Sequence, residues 1–310
     1  MKKIPLLVIA GATASGKTAL SIALAKRFSA EVVSADSMQI YRHMDIGTAK
    51  PTPEEMGDVP HHLLDFQDPK APFSVAEYVA LAHTEIAEIH ARGHLPIVAG
   101  GTGLYIDSLV RDVEFREDDT DERIRQELEM IAKEQGIFVL HTMLAEIDPV
   151  SAARIPAQNV RRVVRAIEFF RMTGKTISAH QLETQQKESR YDALMLAIRW
   201  EMPKLYQRID QRVDWMVEAG LFSEVAALEQ MGCKKEMSAM QGIGYKQVLN
   251  YRHGLATESE TIQIIKRDSR RYAKRQMTWF RRNPELLWLD PSGAQKQAEM
   301  AVLKKFSEIL

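Results

Sequence analysis

The chain has 310 residues, 41 Lys+Arg against 42 Asp+Glu, a formal net charge of −1, and 45% hydrophobic residues. At roughly 150 residues per domain this allows about two domains, or one large domain with an insertion, and excludes collagenous, disordered or highly charged proteins. A single cysteine, Cys233, excludes an intrachain disulfide and a Cys-rich zinc site.

Ile4–Ala10 is a short apolar run ending at glycine, the pattern of a buried parallel strand. It stops too soon for a membrane span and shows no small-residue cleavage pattern, so a cytosolic chain without membrane attachment is expected. Thr18–Phe28 follows at helical spacing. Glu31–Ala35 and Pro96–Ala99 are further strand candidates, each running into polar or glycine-rich residues, and Leu194–Ile198 and Leu286–Leu289 are later ones. Between Arg116 and Arg190 the pattern is charged and helical, with helices expected at Asp119–Gln135 and Asn159–Met172, the second stopped by Thr173-Gly174. Strands at both ends around a helical stretch indicate an α/β, doubly wound, mainly parallel sheet with a helical insertion. The expected division is 1–115 as the first part of the core, 116–190 as the insertion, and 191–310 as the second part with basic C-terminal helices.

Charge is segregated. Asp112 to Gln135 holds ten acidic and four basic residues, whereas Lys266 to Arg282 holds eight basic and one acidic, interleaved with Tyr272, Trp279 and Phe280. Gln158 to Lys175 holds five basic and one acidic. A solvated helix face explains one such run; two with stacking aromatics point to a polyanionic partner.

The strongest local signal is Gly11-Ala12-Thr13-Ala14-Ser15-Gly16-Lys17-Thr18, a G-x-x-x-x-G-K-[ST] loop between a strand and a helix. Its amides and helix N-terminus suit a phosphate chain, Lys17 adds a full charge, and Thr18 is placed to ligand Mg²⁺. The core is therefore expected to be P-loop NTPase-like. Chemistry in such sheets lies beyond the carboxyl ends of the strands. There one strand delivers Asp36, a candidate metal ligand, general base or helix cap, and another delivers the Gly100–Gly103 turn.

The stretches Asp36-Ser37-Met38-Gln39-Ile40-Tyr41-Arg42 and Asp45-Ile46-Gly47-Thr48-Ala49-Lys50-Pro51 resemble the signature of bacterial tRNA dimethylallyltransferases, the tRNA isopentenyltransferase family. The likeness runs almost end to end. It takes in Pro60–Asp65, Gly100–Tyr105, Asp148-Pro149, Asn159 with Arg161, Arg162 and Arg165, Gln241–Lys246, and Lys274–Arg281. The loop departs from the usual family form, where proline commonly follows the first glycine and here Ala12 does. The resemblance implies transfer of a dimethylallyl group from dimethylallyl diphosphate to N6 of the adenosine 3′ of the tRNA anticodon, with Mg²⁺ and a P-loop used on the donor diphosphate. The protein is expected to act as a monomer.

On that resemblance Asp36 is the base that accepts the amine proton, and Thr13 lies near the reacting centre. Lys17, the loop amides, Mg²⁺ on Thr18 and Arg212 (with Arg208 as the alternative) stabilise the leaving diphosphate. The flipped adenosine and its flanking RNA would meet Asp36, Ser37, Met38, Gln39 and Thr102. Asn159, Arg161, Arg162, Arg165, Gln241, Gly242, Gly244, Tyr245 and Lys246 are further expected tRNA contacts. Lys274, Arg275, Gln276, Thr278, Trp279 and Arg281 complete that surface, and the insertion would clamp the anticodon stem. The competing readings are a P-loop small-molecule or nucleotide kinase and an RNA-binding module that uses nucleotide as a switch. His90 and His94 have metal spacing but flank a helix end and are not assigned to metal, and His61-His62 is expected to form a loop supported by Asp65.

Overall fold

A computed structural model describes residues 3–113, 115, 121–186 and 188–308. Its elements divide into two compact units, one formed by Met1–Val110 with Arg190–Leu310 and the other by Arg111–Ser189. The first begins with β1 (Ile4–Ala10), α1 (Lys17–Phe28), β2 (Ala30–Ser34), α2 (Pro53–Met56), β3 (His61–His62), α3 (Val75–Ala91), β4 (Leu95–Gly100) and α4 (Gly103–Val110). The second holds α5 (Glu122–Glu134), α6 (Ile137–Ile147), α7 (Pro149–Arg154), α8 (Val160–Thr173) and α9 (Ile177–Gln186). The first then resumes with β5 (Tyr191–Ile198), α10 (Met202–Glu218), α11 (Leu221–Gln230), α12 (Tyr245–Arg252), α13 (Glu258–Phe280), β6 (Leu287–Leu289) and α14 (Ala294–Phe306).

The six strands form one parallel sheet in the order β3-β2-β4-β1-β5-β6. Strand β1 is flanked on both sides and covered on both faces, which is why its sequence is continuously apolar rather than alternating. On one face Leu7, Ile9, Val32 and Ile97 pack against Leu20, Leu24 and Phe28 of α1 and against α14. This order places the ends of β1, β2 and β4 side by side, so the residues that follow them share one sheet edge.

Strand β3 is a correction to the sequence reading. His61-His62 pairs with Val32-Val33 instead of forming a loop, and Asp65 supports Lys50 instead of the histidines. His62 and His94 both hydrogen-bond the buried Glu31 at 2.7 Å, and Arg92 donates to the same carboxylate at 2.8 Å. The arginine foremost, with the histidines, outweighs burial and holds Glu31 down at about 2. His94 thus has a structural partner.

The helical unit has its own core of Leu128, Leu140, Leu144, Val163, Val164 and Ile167. Asp148 begins α7 by accepting from the Ser151 amide and hydroxyl at 3.0 and 2.6 Å, and it also takes Ser178 N and Oγ at 3.0 and 2.7 Å. Buried Glu168 accepts from Arg125 at 3.0 Å and Arg165 at 3.2 Å. The expected first residue of the insertion, Arg116, and the expected helix start, Asp119, lie outside the described residues. Among the described residues no helix is long and apolar enough to cross a membrane.

Closure of the sheet edge turns on Gly100. A Cβ there would lie 2.1 Å from the Ala35 carbonyl oxygen, which accepts from the Thr102 amide at 3.2 Å. Gly100→Ala is expected to lower stability by about 2–3 kcal/mol, read from the urea midpoint, because backbone is what must give way.

Candidate active site

The loop after β1 needs left-handed backbone that glycine supplies, with φ +140° at Gly11 and +96° at Gly16, the residue that opens α1. Lys17 folds back so that Nζ donates to the Ala12 carbonyl at 2.7 Å. Burial lowers its pKa to about 8, with Asp36 opposing and Arg212 reinforcing the shift. Arg212, from α10, donates to Thr13 Oγ1 at 3.3 Å and to the Ala49 carbonyl at 3.4 Å. Its neighbour Arg208 instead donates to the Ala14 carbonyl at 2.8 Å and stacks over Trp200 at 4.6 Å. Two cations therefore converge on the loop, an arrangement that an anion stabilises.

Thr13, Lys17 and Arg212 line a cleft of about 380 Å³ that also takes in Thr18, Asp36 and Tyr272. Asp36 Oδ1 accepts from the Met38 amide at 2.9 Å, so the carboxylate caps its own turn with one oxygen. Among the described residues its other oxygen carries no hydrogen bond. Thr102 Oγ1 accepts from the Ser37 amide at 3.0 Å, holding that turn against the glycine loop. Tyr272 of α13 closes the same wall; burial, then the Asp36 charge, pushes its hydroxyl up to about 12, so it stays protonated.

The segment between β2 and α2 is irregular yet tightly tied. Buried Lys50 donates to the Tyr41 carbonyl at 2.8 Å, to Asp45 at 2.6 Å and to Asp65 at 2.5 Å. Glu224 of α11 accepts from the amides of Asp45, Ile46 and Gly47 at 2.8, 2.7 and 3.0 Å and from the Tyr245 hydroxyl at 2.7 Å.

Several expected contacts prove to be scaffold. Gln39 spends its amide hydrogens on the Thr48 and Ala49 carbonyls, at 3.1 and 3.0 Å, so they do not face a base edge. Tyr245 is 1% exposed and donates to Glu224, and buried Gly244 begins α12. Gln276 is buried: Oε1 accepts from the Thr13 amide at 2.9 Å and Nε2 donates to the Gly101 carbonyl at 2.8 Å. Trp279 donates to Asp107 at 2.8 Å and packs where a Gly103 Cβ would sit, so it is no free stacking platform. Arg165 donates to Glu168 but keeps a partly exposed side chain, so it is not among these. Gly242 and Lys246 line the cleft with Ser37, Met38 and Arg275, as do Gln39 and Gln276. Gln241, Lys274, Arg275, Thr278 and Arg281 are exposed on the same unit, and Arg161 and Arg162 are exposed on α8, with Asn159 just before it. Sequence reasoning did not assign Tyr272, Glu224, Ser34 or His61 to the site; Tyr272 left a signal as an aromatic inside the basic run, and His61 lay within the Pro60–Asp65 stretch.

The family model for IPP transferase matches residues 39–283. The chain belongs to that family. A tRNA dimethylallyltransferase of Acetivibrio thermocellus is 51% identical over 284 residues, spanning 92% of this chain and 91% of that protein. The protein of the same name from Bacillus subtilis is 46% identical over 288 residues, spanning 93% and 91%. Among solved structures, the full-length tRNA isopentenylpyrophosphate transferase of Bacillus halodurans superposes with a TM-score of 0.75 at 43% identity, covering 99% of this chain and 98% of that one. A eukaryotic dimethylallyltransferase described as acting on tRNA superposes at 0.85 with 28% identity, covering 98% and 80%. The chain thus shares the family's P-loop NTPase-like fold over nearly its whole length.

Because Lys17 titrates near 8, its charge is present below that pH and lost above it. Affinity for inorganic diphosphate, measured by calorimetry, is expected to fall as pH rises through 8 to 9, and Lys17→Met should flatten that dependence.

Proposed function

We propose that the chain transfers a dimethylallyl group from dimethylallyl diphosphate to N6 of the adenosine 3′ of the tRNA anticodon, releasing diphosphate. One observation carries the chemistry: a carboxylate oxygen of Asp36 without a hydrogen bond among the described residues shares a cleft with the cradle of Lys17, Thr13 and Arg212. Relatives of close sequence similarity are named tRNA dimethylallyltransferases. A kinase would use the same cradle, but its relatives would not share nine-tenths of this chain at half identity.

As the N6–C1 bond forms and the C1–O bond to diphosphate breaks, the amine loses a proton, which Asp36 accepts. An aromatic amine is a weak nucleophile, so a base in place at bond formation lowers the barrier. Negative charge grows on the departing diphosphate, where Lys17, the loop amides and Arg212 oppose it. Arg212 also holds Thr13 beside the departing oxygen. The apolar wall of Ile209, Val213, Met216, Ile243 and Ile265 suits the prenyl tail.

Mg²⁺ fits at Thr18, an exposed residue in the first turn of α1 whose hydroxyl carries no hydrogen bond among the described residues. There is no cluster of three metal-ligating side chains among those residues, so phosphate oxygens and water would complete the shell. Bound there, it would neutralise charge on the diphosphate.

A target adenosine reaches such a cleft by leaving the anticodon stack. Ser37, Met38 and Thr102 line its approach, with the Gln39 side chain bracing the floor. Asn159, Arg161, Arg162, Arg165, Gln241, Lys246, Lys274, Arg275, Thr278 and Arg281 are our proposed backbone contacts, and the helical unit the proposed clamp on the stem.

With unmodified tRNA, dimethylallyl diphosphate and Mg²⁺, mass spectrometry is expected to find one prenyl adduct on that adenosine. Asp36→Asn should cut the rate by about 10²–10⁴-fold and leave donor binding unchanged. Arg212→Met should cut it by about 10²-fold or more, even with donor saturating. Full activity in Asp36→Asn would remove the base assignment, and ATP turnover without an adduct would revive the kinase reading.

A further inference from the structure

Two buried polar atoms in the cleft have no partner among the described residues: Ser34 Oγ and His61 Nε2. Ser34 is 5% exposed and ends β2. Its strand neighbour Val32 packs on α1, and Ser34, two residues along, points to the same side. His61 stands beside Val32 in the parallel register of β3. Thr18 and Ser21 of the first helical turn line the cleft with both of them. Ser21 donates to the Thr18 carbonyl at 2.9 Å, which leaves its oxygen free to accept.

The tautomer of His61 follows from its other nitrogen. Nδ1 lies 2.8 Å from the Val59 carbonyl, which can only accept, so Nδ1 carries the hydrogen and Nε2 presents a lone pair. Burial foremost, with the neighbouring His62, lowers the basicity of the ring against the pull of that carbonyl. What meets Nε2 must therefore be a donor. Diphosphate oxygens and an allylic hydrocarbon have none to offer, and the proposed adenosine approach lies along Ser37 and Thr102. Water remains, and the water most strongly oriented beside Thr18 is that bound to a divalent cation, whose hydrogens point outward.

We infer that Ser34 and His61 form an outer hydration cradle for Mg²⁺, accepting hydrogen bonds from water ligands of the ion that Thr18 and the donor diphosphate hold. This rests on the proposed diphosphate site. It casts both as positioning residues: they touch neither donor nor nucleophile, and fix the ion through its water. Mg²⁺ keeps several waters when it binds, so acceptors for those waters set where it sits.

The test is calorimetric titration of inorganic diphosphate into the full-length chain, with and without Mg²⁺, for wild type, Ser34→Ala, His61→Leu and His61→Gln. The gain in diphosphate affinity conferred by Mg²⁺ is expected to fall about tenfold or more in Ser34→Ala and His61→Leu. Metal-free affinity should stay within about twofold of wild type, and His61→Gln, which keeps an acceptor, should retain more of the gain than His61→Leu. An unchanged Mg²⁺ gain, or an equal loss with and without metal, overturns the inference. Thermal melts by circular dichroism establish that each variant is folded; if His61→Leu is not, Ser34→Ala decides alone. Failure of wild type to bind diphosphate under either condition would remove the site reading itself, an outcome distinct from the others.

Discussion

The amide of Gln276 holds the site together. Its oxygen takes the Thr13 amide and its nitrogen gives to the Gly101 carbonyl, so one buried side chain on α13 fixes the separation of the loops after β1 and β4. Each loop is glycine-rich and would be costly to order alone. Joined, they line one cleft with Asp36, which follows β2 on the other side of β4. Burying an amide is tolerable because both ends are satisfied, and removing either partner would strand the other in a dry place.

Charge is arranged on this frame with the same economy. Burial foremost, with the nearby Arg212 charge adding to it, weakens the basicity of Lys17, and without a ligand each of the two leans on a backbone carbonyl. That arrangement is poor for the free protein and good for a polyphosphate, since the incoming anion relieves repulsion already present. The basic residues of α13 do different jobs along its length. Some face outward, while Arg270 is bound to Asp210 at 2.6 Å and Lys266 to Asp214 at 2.5 Å. A charge run in sequence is thus divided between surface and scaffold.

Much of the core was legible because its strands are apolar runs that stop at glycine or at a polar turn, and because a phosphate loop is contiguous. The site residues that sequence brought out, Lys17, Asp36, Thr13 and Arg212, do converge on one cleft. Strand β3 was not legible: two histidines carry no apolar signal, and they pair only because Val32 and Val33 offer a free edge. Gln39, Tyr245 and Gln276 lie in distinctive stretches and were read as contacts for RNA. Their polar atoms serve instead to tie segments together, in the case of Gln276 across 263 positions. A hydrogen bond over that distance leaves no trace in local pattern, so a distinctive polar residue looks the same whether it grips a ligand or its own chain.

The grip of Glu224 on the 45–47 backbone has a consequence for how this site can change over time. One carboxylate on α11 fixes three successive amides nearly 180 positions earlier, and the Tyr245 ring fills the space that any side chain at Gly47 would need. These positions are bound into a single heritable unit. A loop transplanted from a distant homologue would arrive without its anchor, so divergence here should proceed by concerted replacement, and chimaeras that split the pair should fail before any residue touching substrate has been altered.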